Sequence, residues 1–335
     1  MFLNPWSLAL SICSVAALVL GAFAAHTAVR VLRFWDLGSD SNRQIRLESE
    51  IWLSSTLMAY GLGFQLLTLV LFVLAADQYA QSIAGAMCAT GSLLANGYGI
   101  PALLVKISGV FFYGFWLLLH QLDIRSEHYP LVRVKYRYLL VLMPFLLLDV
   151  SLQTLYIAGL KPDIITSCCA VVFSAQAGGG TNLISGYSDA GLLAVFLGSS
   201  LLLSFLAVSL LRKWRVYLTA AYSALWVFYF FLSLVAVTSL FSSYVYAMPY
   251  HKCPFCLLKP EYSYFGFALY GTLFPGAFWG ASVALVGLVR GGPGLSAIVG
   301  SYQRWAVKIS LVMLGLFVSA SGYHYLKYLL TGGEG

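Results

Sequence analysis

The sequence predicts an all-α, polytopic bundle of about eight membrane-spanning helices, forming a single transmembrane domain over residues 1–335. Two observations carry this. Hydrophobic residues make up 60% of the chain and charged residues only 9%, far outside the range of soluble domains. The apolar residues also come in long continuous runs rather than in alternation, which selects helices over a closed barrel. About 20 apolar residues in a helix cross a ~30 Å hydrocarbon core with every backbone polar group satisfied inside the segment.

The runs place spans at 6–30, 53–76, 100–120, 138–160, 191–211, 216–243, 267–289 and 309–330. The first has no basic leader and is followed by Arg30 and Arg33, so it reads as an uncleaved anchor. Only "RKWR", Arg212 to Arg215, separates the fifth and sixth, and its charged and aromatic side chains suit a tight turn at the membrane interface. "RGGPG" from Arg290 is a turn between the seventh and eighth, not a phosphate-cradling loop. Two halves, 1–160 and 191–335, echo one another. In each, a cysteine-bearing loop joins the second and third spans and is followed by a similar string, "GVFFYGFW" from Gly109 or "GTLFPGAFW" from Gly271, as a 4+4 parallel repeat would give.

Basic residues set the expected orientation. With the N-terminus outside, the cytoplasmic segments collect fourteen: Arg30, Arg33, Arg43, Arg46, Arg125, Arg133, Lys135, Arg137, Arg212, Lys213, Arg215, Arg290, Arg304 and Lys308. The outer segments hold four, Lys161, Lys252, Lys259 and Lys327. This asymmetry predicts a protein of the plasma (inner) membrane with both termini extracytoplasmic. It also accounts for the net charge of +7 without a nucleic-acid partner, leaving the lipid bilayer as the expected surrounding.

In that topology Cys88, Cys168, Cys169, Cys253 and Cys256 all fall in outer loops, and Cys13 sits seven residues into the first span, ~10 Å deep. The cysteine loops are rich in Gly, Ser, Ala and Asn, which favours irregular turns folding over a site. "AMPYHKCPFCLLKPEY", Ala247 to Tyr262, concentrates Met248, His251, Cys253 and Cys256.

Three chemistries fit these residues. Thiolate, thioether and imidazole together select a soft ion such as copper, or zinc, so Met248, His251, Cys253 and Cys256 read as a primary metal site with Cys88, Cys168 and Cys169 as further donors. "CPFC" resembles the knuckle of zinc ribbons, which implies two thiolates gripping one ion. It also resembles the dithiol of glutaredoxin-type active sites, which implies Cys253 and Cys256 as catalytic thiols. Membrane quinone reductases that regenerate disulfides are similar in placing cysteine pairs in outer loops, which implies quinone as the cofactor. The third reading is structural disulfides, with fifteen connectivities for six cysteines. The vicinal Cys168 and Cys169 fit it poorly, since adjacent Cα atoms about 3.8 Å apart lie below the usual disulfide range. Metal handling is the leading expectation, thiol–disulfide oxidoreductase the alternative, and a transporter or receptor with structural disulfides the third. An extracytoplasmic metal chaperone or thiol protein is the expected partner.

Inside the spans the unusual residues are Gln65, Lys106, Asp149, Gln153 and His324. Lys106 and His324 lie ~9 Å and Asp149 ~16 Å from the outer helix ends, in the cysteine-bearing half. Charges at such depth need compensation, so Lys106 and Asp149, on sequential antiparallel spans, are expected to pair. His26 and His120, at cytoplasmic helix ends, and His128, in a basic loop, carry no expected chemistry.

Overall fold

A computed structural model describes residues 3–35, 41–126, 129–161, 188–248, 251–291 and 294–331. These residues form helices and turns, with no strand among them. The long helices are α1 (Pro5–Phe34), α2 (Asn42–Ala80), α4 (Gly99–Ile124), α5 (Val132–Gly159), α6 (Asp189–Arg212), α7 (Val216–Ala236), α9 (Phe265–Gly287) and α10 (Leu295–Thr331). Short helices α3 (Ala89–Leu93) and α8 (Ser242–Tyr246) flank the loops between them. With α7 continued through a five-residue π-turn, Val237–Phe241, into α8, eight helices are long and apolar enough to cross a membrane.

Local chemistry starts several of them. Asn4 caps α1 by accepting from the Trp6 N–H at 3.0 Å, with Pro5 in the first turn. Ser41 and Ser188 cap α2 and α6 in the same way, accepting from Gln44 and Gly191. Between α6 and α7 the chain turns at Lys213–Arg215, as the short basic link predicts.

Two boundaries differ from the sequence reading. The second span is expected from residue 53 and the last from residue 309, whereas α2 starts at Asn42 and α10 at Leu295. Hydropathy finds where lipid begins; the helices continue beyond it, carrying Arg43 and Arg46 or Arg304 and Lys308 on turns that water or headgroups solvate. At 39 residues α2 is ~58 Å long, nearly twice the hydrocarbon thickness.

The chain divides into two compact units. The first is a ring of four helices in which α2 and α5 each pack on both α1 and α4. Its core includes Ala17, Ala24, Met58, Leu62, Trp116, Leu139, Leu142 and Leu146. The second takes α6 to α9, α10 from Val299 onward, and also Gly85–Gly91, so the Cys88 loop leaves the half to which chain order assigns it.

In the second unit α7 is the central element. It packs on α6 and α9, and Tyr222 meets Ser310 of α10 at 2.8 Å. The run Trp226–Phe231 splits by helical period: Trp226, Tyr229 and Phe230 are buried, Phe228 and Phe231 exposed. Gly276 and Gly280 of α9 leave room for the Trp226 ring; a Cβ on Gly280 would come within 2.1 Å of it. This is close helix approach through small residues four apart. One turn away, the Ser223 hydroxyl of α7 donates to the Gly280 carbonyl and accepts from the Ala284 N–H, inserting into the α9 backbone ladder.

A buried three-thiol cluster

The second unit brings Cys88, Cys253 and Cys256 together, with their sulfurs all within 4.8 Å of one another. Cys88 Sγ lies 3.3 Å from Cys253 Sγ, and all three residues are buried, at 1%, 0% and 5% exposure. Cys256 is a free thiol, as is Cys13. The Thr90 hydroxyl, 3.2 Å from Cys253 Sγ, adds a polar partner from the start of α3.

Contacts from α8, α9 and the Cys88 loop hold the loop bearing Cys253 and Cys256. It leaves α8 through Ala247 in the left-handed region, φ 52°, and rejoins α9 through Ser263 and Tyr264 at φ 54° and 56°. Three residues with side chains in that region cost strain, which the surrounding contacts must offset. Tyr246 donates to the Cys253 carbonyl, and Tyr270 of α9 donates to the Pro254 carbonyl at 2.9 Å. Cys256–Leu258 turns as a single 3₁₀ segment, and Leu257 is buried against Gly266, where a Cβ would come within 2.9 Å of the Leu257 carbonyl carbon. Lys259 Nζ reaches the Met87 carbonyl at 3.5 Å, tying this loop to the Cys88 loop.

His251 stands beside the cluster but outside the 4.8 Å set. Its ring meets Tyr246 edge-on at 4.4 Å, and its Nε2 is buried with no hydrogen-bond partner. Burial holds its imidazole pKa below the ordinary value, with Lys259 acting in the same direction and Cys88 against it. Contact with the other two sulfurs, and then burial, pushes the Cys256 thiol far up. Met248 is half exposed. Cys168 and Cys169 lie outside the described residues.

The intramembrane polar residues fall in different places. Lys106 and Asp149 meet in the first unit, Nζ to Oδ1, at 3.0 Å. His324 belongs to the second unit, packed edge-on to Phe265 and Tyr323. The first unit also holds a buried cluster absent from the sequence expectations: Lys135 bonds Asp123 at 2.8 Å and lies 3.4 Å from His120 Nδ1. Lys135, expected only as one of the fourteen basic residues of the cytoplasmic segments, is 2% exposed. The available signal was Asp123, the one acidic residue between the third and fourth spans besides Glu127, within reach of a lysine across a short link.

No family's sequence model, no curated protein and no solved structure matches this chain. Fold and site together define the class: a polytopic helical membrane protein with a buried cluster of three thiols drawn from two loops.

Proposed function

We propose that Cys88, Cys253 and Cys256 bind a soft metal ion, Cu(I) or Zn(II), at the extracytoplasmic face, and that the protein handles or transfers it. The observation that carries this reading is the mutual approach of three buried sulfurs within 4.8 Å. Thiolates bonded at ~2.3 Å to one ion stand ~4 Å apart, so the cluster needs only small adjustments to close on a metal. Three sulfur donors favour soft ions over hard cations. Anaerobic purification followed by metal analysis tests it: about one copper or zinc per chain is expected, lost in a Cys253→Ser/Cys256→Ser variant. A metal-free wild-type protein that also fails to take up added Cu(I) or Zn(II) overturns it.

The 3.3 Å contact of Cys88 with Cys253 favours a second reading, a thiol–disulfide oxidoreductase. Joining these sulfurs removes two protons and two electrons, which a membrane quinone accepts to become quinol. In the same preparation, a Cys88–Cys253 disulfide formed on adding quinone, with no metal bound, selects this reading over the first.

A further inference from the structure

We propose that Asp149 is a reversible proton-binding site within the first unit, at which uptake of a proton releases Lys106. The two side chains are 1% and 3% exposed and pair between α4 and α5. Gln65 Nε2 of α2 and the Tyr113 hydroxyl of α4 both donate to Asp149 Oδ2, at 2.7 and 2.9 Å. Lys106 Nζ also donates to Thr68 Oγ1 at 3.2 Å, and Thr68 donates to the Gln65 carbonyl at 2.7 Å. Stability alone is a weak reason for such a pair, because desolvation offsets its Coulomb attraction and apolar replacements are often neutral or better.

Two acceptors around the pair lack a donor. Gln65 Oε1 and, one turn from Asp149 on α5, Gln153 Oε1 are buried acceptors without a hydrogen-bond partner. A carboxylate supplies no donor for them; a protonated Asp149 supplies one. A proton from water bonds to the Asp149 carboxylate, and the resulting O–H donates to Gln65 Oε1. Lys106 leaves with its charge intact, freeing Thr68 Oγ1 to accept from the turned Gln65 amide.

Lys106 has somewhere to go. It is seven residues into α4 from Gly99, ~10 Å along the axis, and its flexible stem can carry the ammonium toward that end of the helix. Protonation therefore exchanges a buried ion pair for a neutral buried acid and a cation at the interface. The groups facing the pair are Tyr113 on α4, Gln65 and Thr68 on α2, and the Cys13 thiol on α1, close enough to act on Lys106 electrostatically. Among the described residues no second carboxylate shares the site.

Difference infrared spectra of the full chain in lipid nanodiscs, recorded while the pH is cycled, test this. A carboxylic C=O band should appear on acidification, reverse on return, shift on ¹³C labelling of aspartate, and vanish in Asp149→Asn. In Gln65→Leu, which removes the acceptor, the same band should shift to higher frequency. If Asp149→Asn does not fold, the labelling and the Gln65→Leu shift decide the matter. No reversible aspartate band in the wild type, or one unmoved by Gln65→Leu and retained in Asp149→Asn, overturns the proposal.

Discussion

Thr90 offers the most economical test of the thiol cluster, because its hydroxyl touches Cys253 Sγ and is not itself a proposed ligand. Thr90→Val removes one hydrogen bond of about 1 kcal/mol while keeping the shape, so metal affinity should fall about fivefold, and Thr90→Ser should restore it. Competition with a calibrated chelator measures both. The Lys106–Asp149 pair makes a sharper contrast. Removing one partner strands a charge in the bundle, so Lys106→Met should cost about 3–5 kcal/mol in denaturant unfolding. Lys106→Met with Asp149→Leu should recover most of that loss; an additive double variant would mean that the two charges are compensated elsewhere.

Two glycines of α9 tie elements to each other. Gly280 sits under the Trp226 ring of α7, and even a methyl group there would overlap it. Gly280→Ala should lower stability by about 1–3 kcal/mol, and Trp226→Leu in that background should relieve the clash; thermal unfolding in detergent reads both. Gly266 does the same work for the thiol cluster, letting Leu257 seat on the first turn of α9. A side chain at that position displaces the CPFC turn, so Gly266→Val should weaken metal binding although it removes no ligand. Full affinity in that variant would show that the turn finds its place without α9. The π-turn at Val237–Phe241 belongs to the same local arrangement, since the helix holding it runs on to Tyr246, whose hydroxyl grips the Cys253 carbonyl.

At the scale of the molecule, the proposed ion, bound by Cys88 from one loop and Cys253 and Cys256 from another, would cross-link segments 165 residues apart. Binding only the folded state, it should stabilise that state by about 2.7 kcal/mol when free metal is 100 times its Kd. Stripping the metal should lower the unfolding temperature of the wild type and leave Cys253→Ser/Cys256→Ser unmoved. The sequence by itself determined the helical membrane class and the approximate spans, because burial in lipid is a one-dimensional demand met residue by residue along each run. It also marked Lys106 and Asp149 as partners, since an isolated charge at that depth has few other ways to be compensated. Only the tertiary structure decided which thiols meet, leaving His251 beside the cluster and Met248 half exposed. Only there, too, did Lys135 turn inward onto Asp123 and His120. The reason is physical: hydropathy records how much of a side chain's surroundings is apolar, whereas a bond between residues distant in the chain depends on the rotation and offset of packed helices and on the path of loops, for which composition carries no term.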